Sequence, residues 1–258
     1  MSTMAEKFYL YDGKKHSRRE MEELVKSSID SLKKGTSPRL SEAFKMLEGK
    51  DVLDVGCASG SISKYIAQMG YKVHAIDTLE SSIEIANEFF NHENVTYEVR
   101  DVIKKPFPEN SFDCILFFET IEHVENPAQF LREFHRILRP KGCLILSTPN
   151  ATSLKNMFYA LSYRKRKKRD AFTKEIISEQ KHTGTQLEHI YNWDFPVLIR
   201  LLDMCGFEHV DHKFTGGGPV VIPFFGKKIQ LIKRNSKILR NFEPLMTTHV
   251  IKARKKIS

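Results

Sequence analysis

Three observations predict an α/β fold whose largely parallel sheet is covered by helices on both faces. From residue 51 onward, strand and helix patterns alternate. The run Phe112–Phe118 is almost unbroken in its apolar character, as a central strand buried on both faces requires. Val52-Leu53-Asp54-Val55 runs directly into Gly56-Cys57-Ala58-Ser59-Gly60, a loop of small residues that leads at once into a helix pattern. Such a loop lets the backbone approach a ligand closely and forms the first part of a nucleotide-type binding site.

The first strand is Asp51–Val55. The following helix carries Ile62, Tyr65, Ile66 and Met69 at helical spacing and ends at Gly70. The second strand is Lys72–Ile76 and finishes at Asp77. A helix covers Glu80–Phe90, and the third strand, Val95–Arg100, is followed by Asp101. After the fourth strand, Phe112–Phe118, a helix opens at Pro127, a good first-turn residue. Its stripe is Phe130, Leu131, Phe134, Ile137 and Leu138. Pro140-Lys141-Gly142 stops it and turns the chain into the fifth strand, Cys143–Ser147. Asp194 caps a helix closed by Gly206, the sixth strand is Phe207–Phe214, and Thr247–Lys252 forms an antiparallel last strand. Gly216-Gly217-Gly218-Pro219 opens an irregular basic excursion. The first 50 residues read as helical, with Met21, Leu24, Val25 and Leu32 on one face, and are expected to cap the sheet.

The chain has 258 residues, of which 41% are hydrophobic and 28% charged, an ordinary globular composition. No apolar run approaches the ~20 residues of a membrane span. Met1 to Leu10 contain no signal-peptide core, so a cytoplasmic protein is expected. Cys57, Cys114, Cys143 and Cys205 lack metal-ligand spacing and read as buried, reduced thiols. The net charge of +9 is uneven: residues 51–150 carry −6 and residues 151–258 carry +12. An anionic partner is therefore expected for the second half, whether phospholipid, nucleic acid or an acidic substrate.

The glycine loop is tighter than the dinucleotide fingerprint G-x-G-x-x-G, with Gly56-x-Ala58-x-Gly60 in its place. Alanine at position 58 fits if its φ is negative. Asp77, at a strand end, can accept hydrogen bonds from both hydroxyls of a ribose, and Asp101 from an adenine amino group.

With these residues in this order, the chain resembles the class I S-adenosylmethionine-dependent methyltransferases over roughly residues 38–214 and the final strand. The motifs that carry the resemblance are Val52-Leu53-Asp54-Val55-Gly56-Cys57 with Gly60, then Asp77, Asp101 and Ser111-Phe112-Asp113. Leu138-Arg139-Pro140-Lys141-Gly142-Cys143-Leu144 and Ser147-Thr148-Pro149-Asn150 complete them. The resemblance implies a Rossmann-like, doubly wound, seven-stranded sheet of order 3-2-1-4-5-7-6 with its last strand antiparallel. It implies a helical cap over residues 1–48 and a methyltransferase domain over 49–258, with basic insertions at 151–193 and 215–245. It places the methionine part of S-adenosylmethionine over Gly56, Ala58 and Gly60, the ribose at Asp77 and the adenine near Asp101 and Val102, with Asp54 and Thr78 as further cofactor-binding residues.

Within that class the chain looks most like the ubiquinone-biosynthesis O-methyltransferases. Ser37-Pro38-Arg39-Leu40 stands where that family has a cofactor-contacting arginine. Glu119-Thr120-Ile121-Glu122-His123-Val124 matches its E-x-x-E-H-V, and Phe118 matches a cofactor contact. Glu119, Glu122 and His123 follow the carboxyl end of the fourth strand, the edge where open α/β sheets bind ligands. Their spacing would put all three on one side of a helical turn, where they could hold Mg²⁺, serve as a general base, or simply order the turn. His189, in His189-Ile190-Tyr191-Asn192-Trp193-Asp194, is a further candidate catalytic residue, because similar segments in relatives face the active site. His182 is a weaker one. The expected acceptor is a small or lipid-like phenol or quinone-type molecule. The alternatives are RNA ribose 2′-O-methylation with metal at the Glu-x-x-Glu-His cluster, and a non-catalytic cofactor-binding protein.

Leu154, Met157, Phe158 and Leu161 form an apolar stripe ahead of Arg164-Lys165-Arg166-Lys167-Lys168-Arg169. Residues 154–169 read either as an interfacial anchor on anionic lipid or as a covering helix followed by a solvated loop. Nucleic acid is the less favoured partner, since the run lacks interleaved aromatics for base stacking.

Overall fold

The computed structural model describes residues 9–11, 14–154, 156–157, 190–216, 220–224, 227–232 and 246–257. Ahead of the main sheet come a short hairpin, β1 (Tyr9–Tyr11) and β2 (Lys14–His16), and two helices, α1 (Arg18–Lys33) and α2 (Pro38–Lys45). The main elements are β3 (Asp51–Val55), α3 (Ser61–Gln68), β4 (Lys72–Asp77), α4 (Glu80–Phe89), β5 (Val95–Val99), β6 (Phe112–Phe118), α5 (Pro127–Ile137) and β7 (Leu138–Pro149). They continue with α6 (Phe195–Met204), β8 (Phe207–Thr215), a second hairpin of β9 (Val220–Phe224) and β10 (Lys227–Ile232), and β11 (Thr248–Lys255).

The seven-stranded sheet runs β5-β4-β3-β6-β7-β11-β8. Numbered from β3 with the hairpin left out, this is the expected order 3-2-1-4-5-7-6. β3 through β7 are parallel, and β11 runs antiparallel to both β7 and β8. Side chains alternate faces along each strand. Cys114, Leu116, Cys143 and Ile145 join the core under α1 to α4, while Ile115, Phe117, Leu144 and Leu146 join the core under α5 and α6. Burial on both faces explains the unbroken apolar run of β6. Each large side chain so buried contributes roughly 1.5–3 kcal/mol.

Local chemistry sets the helix ends. Ser17 and Glu20 form a reciprocal capping box at α1. Asn126 caps α5 through the N–H of Gln129, with Pro127 behind it, and Asp194 caps α6 through Val197. All four cysteines are buried. No helix among the described residues is long and apolar enough to cross a membrane.

Three details differ from the sequence-based expectation. The N-terminal region is not wholly helical, because β1 and β2 precede α1. Asp12-Gly13 lies between them in the sequence, a dipeptide favoured in two-residue hairpins. The excursion after Gly216 contains the antiparallel β9–β10 pair. β7 begins at Leu138, directly after α5, and passes through Lys141 at φ +65° before the regular pairing of Cys143 with Cys114.

Candidate active site

All the candidate residues in the described part of the chain sit at or beside the carboxyl edge of β3 to β7, apart from Arg39, which α2 brings there. A cavity of about 710 Å³ opens at this edge, well within the size range of small-molecule sites. Asp54, Gly56, Ala58, Asp77, Thr78, Asp101, Val102, Phe118, Arg39, Glu119 and His123 all line it.

The glycine loop is held from behind. The N–H groups of Gly56 and Cys57 both donate to Ile76 O, at 2.9 and 3.0 Å. Gly60 has φ +85°, and a Cβ there would stand 2.6 Å from the Tyr97 ring, so only glycine fits. The Tyr97 hydroxyl donates towards both Gly60 O and Phe90 O at 3.0 Å, fastening the loop to the outer strand. Ala58 is a correction to the expectation: its φ is +47°, not negative. That left-handed backbone costs an alanine about 1–2 kcal/mol. Part of the cost is offset by Asp77, whose Oδ2 accepts the Ala58 N–H at 2.9 Å while Oδ1 accepts that of Leu79 at 2.9 Å.

Asp54 lines the cavity from below, but its carboxyl is buried and accepts the Ser63 hydroxyl at 2.6 Å. Burial pushes its pKa up to about 6, against the Ser63 hydrogen bond. Asp101 uses Oδ1 to accept the N–H groups of Ile103 and Lys104, at 2.9 and 3.3 Å.

The segment after β6 departs most from a helical reading. Residues 119–123 form a bend and turn, with Glu119 at φ +47°. Glu119 points to the cavity and lies 3.7 Å from Arg39 Nη1. Glu122 turns the other way: it is fully buried, and its Oε2 accepts the Thr148 hydroxyl at 3.0 Å. Its main-chain oxygen accepts from Ile190 and Tyr191, at 2.8 and 3.2 Å, so this turn docks the chain just ahead of α6. His123 stays on the cavity wall. The three side chains therefore do not converge, and no group of three metal-ligating side chains exists among the described residues. The Mg²⁺ expectation at Glu119, Glu122 and His123 is not supported, because a turn aims the two carboxylates in different directions. His189, His182 and Arg164–Arg169 lie outside the described residues.

Burial, reinforced by the nearby Glu119 charge, pushes the Glu122 pKa up to about 7. The folded chain then holds a proton that the unfolded chain releases near pH 4.5. Stability is present in full below that value and declines as pH rises towards 7. Glu122→Gln, which carries no ionisable proton, should gain stability relative to the parent between pH 5 and pH 8, on the order of 1–3 kcal/mol. Urea melts at the two pH values check this, and an identical difference at both would contradict it.

Leu79, Arg100, Thr120, Val124 and Phe130 also line the cavity, although none of them was expected as a site residue from the sequence. Tyr97 was not expected as a site residue either, and Ser147 only as part of a motif. As a set, the lining offers an acid for a diol, a second acid for an amino group, apolar walls for a flat ring, and a guanidinium for a carboxylate. That donor set fits a nucleoside carrying an amino-acid tail.

Residues 53–146 match the sequence family described as a methyltransferase domain. Over 133 residues the chain is 36% identical to a ubiquinone biosynthesis O-methyltransferase of Rickettsia conorii, covering 50% of this chain and 46% of that one. Over 107 residues it is 36% identical to the protein of the same name from Pseudomonas paraeruginosa, covering 40% and 46%. The chain thus spans about half the length of the curated relatives it matches. Among solved structures it is similar to an S-adenosylmethionine-dependent methyltransferase from Mesorhizobium loti, with TM-score 0.58 and 18% identity over 84% of this chain and 97% of that one. It is also similar to the cyclase SpnF, with TM-score 0.53 and 15% identity over 99% and 89%. At these identities the structural likeness establishes the fold alone. The sequence match and the fold agree: residues 53–146 match a methyltransferase domain, and the chain shares the Rossmann-like α/β fold of the solved structures it resembles.

Proposed function

We propose that the chain is an S-adenosylmethionine-dependent O-methyltransferase acting on a small, lipid-like phenol or quinol-type acceptor. The observation that carries this reading is the single cavity lined by Asp77, Asp101 and Arg39, with His123 and Glu119 also on its wall. The names of the similar relatives support oxygen as the acceptor atom and a quinone-type molecule as the acceptor class.

In this site Asp77 would hold the ribose hydroxyls, Asp101 and Val102 the adenine, and Arg39 the methionine carboxylate. When bound, S-adenosylmethionine supplies a methyl group already activated on a sulfonium sulfur. The protein's contribution is then mainly alignment of the acceptor oxygen with that methyl. A phenol has an unperturbed pKa near ~10, so few molecules are ionised at neutral pH. His123 on the cavity wall is suited to take the phenol proton as the oxygen reacts. Phe118, Val124 and Phe130 offer apolar surface to exclude water. We further propose that the basic run Arg164–Arg169, with its preceding apolar stripe, brings the protein to anionic lipid holding the acceptor.

One transfer experiment tests both proposals. Methyl-labelled S-adenosylmethionine is supplied with a water-soluble catechol, a long-tailed catechol in anionic vesicles, or RNA. Label should enter both catechols. Replacing Arg164–Arg169 with Gly/Ser should reduce transfer to the vesicle-held acceptor at least several-fold and spare the soluble one, because each cation at such a surface is worth about 1 kcal/mol. Label found only in RNA would replace the phenol reading, and equal transfer by parent and variant would reject the lipid contact.

A further inference from the structure

One buried hydroxyl joins two opposite charges at the cavity wall. Ser147 is fully buried at the carboxyl end of β7. Its Oγ accepts from Arg39 Nη1 at 2.8 Å and donates to Glu119 Oε1 at 2.9 Å. The main-chain oxygen of Ser147 also accepts the Glu119 N–H at 2.8 Å. Glu119 is thus held twice by one residue, in the left-handed backbone region that glutamate rarely adopts. Backbone strain of this kind persists only where its surroundings over-determine it.

The result is a guanidinium and a carboxylate 3.7 Å apart, both facing the cavity. The Arg39 guanidinium also lies over the Phe118 ring, 5.9 Å from its centroid, which further restricts its direction. An α-amino-acid group presents the complementary arrangement, a carboxylate beside an ammonium.

We propose that Ser147 is a positioning residue that locks Arg39 and Glu119 into a pair reading the amino-acid zwitterion of the methyl donor. Arg39 takes the carboxylate and Glu119 the ammonium. The assignment rests on the cofactor reading given under Proposed function. It gives Glu119 a binding role and leaves His123 as the cavity-lining proton acceptor. Loss of the Ser147 hydroxyl removes an acceptor from one charge and a donor from the other, so both are freed together.

Calorimetric titrations with two probes test this. S-adenosylhomocysteine carries the amino-acid end, and 5′-methylthioadenosine keeps the nucleoside without it. Ser147→Ala and Glu119→Gln should each weaken S-adenosylhomocysteine about 10- to 150-fold, the effect of losing a hydrogen bond to a charged group. Both should leave 5′-methylthioadenosine within about twofold of the parent. Glu119→Gln keeps the acceptor oxygen facing Ser147 and removes only the charge, so it guards against a folding defect in Ser147→Ala. Equal weakening of both probes would make Ser147 merely structural, and unchanged S-adenosylhomocysteine affinity in either variant would remove that residue from the pair. Either result overturns the proposal. A parent protein that binds neither probe would instead overturn the cofactor reading itself.

Discussion

Asp77→Ala is expected to weaken S-adenosylmethionine binding by roughly 1.5–3 kcal/mol, about 10- to 150-fold in Kd. The side chain stands at the end of β4 on the cavity wall, where the two hydroxyls of a ribose would find its acceptor oxygens. It also does a second job. By accepting the Ala58 N–H it holds the loop in a left-handed turn that alanine resists. The alanine variant loses both, so the effect should fall in the upper part of the range. Asp77→Asn retains one acceptor oxygen and should lie between the parent and the alanine variant. Calorimetry on the three proteins, with melting curves to confirm folding, decides the matter. An alanine variant within twofold of the parent would remove Asp77 from the site.

His123→Gln should lower kcat about 10²- to 10⁴-fold, the usual contribution of a positioned general base, and leave cofactor affinity unchanged. The main-chain N–H of His123 donates to Thr120 O at 2.9 Å, a bond that the substitution keeps. Glutamine keeps a polar side chain of similar reach but cannot take up a proton. A kcat within a few-fold of the parent would leave the acceptor's ionisation to solvent and the enzyme's role to positioning alone.

Both predictions rest on residues whose position was legible in the chain, because strand ends carry strong local signals. β3 and β6 occupy the residues read from the apolar runs, since strands buried on both faces have no solvent side to blur their limits. Asp77 closes β4 and Asp101 follows β5, and both acids line the cavity because parallel strands end at the same sheet edge. The strand order came through resemblance, since periodicity alone does not say which strands are neighbours. Other features had no local signature. Glu119 and Glu122 share a helical spacing, but Glu119 adopts a left-handed φ and the next residues form a turn, which sends Glu122 inward to Thr148. The sign of φ at Ala58 follows from the Asp77 contact, a tertiary fact 19 residues away in sequence. The link from Ser147 to Arg39 spans 108 positions and exists only once α2 is laid beside β7.

The proposed function requires this cavity to take S-adenosylmethionine as a methyl donor. Its most direct test is calorimetric titration of the cofactor into the parent protein, followed by displacement with S-adenosylhomocysteine. Saturable binding is expected at one site per chain, displaced by S-adenosylhomocysteine and weakened at least tenfold by Asp77→Ala. Absence of binding, or binding that survives Asp77→Ala unchanged, would contradict it.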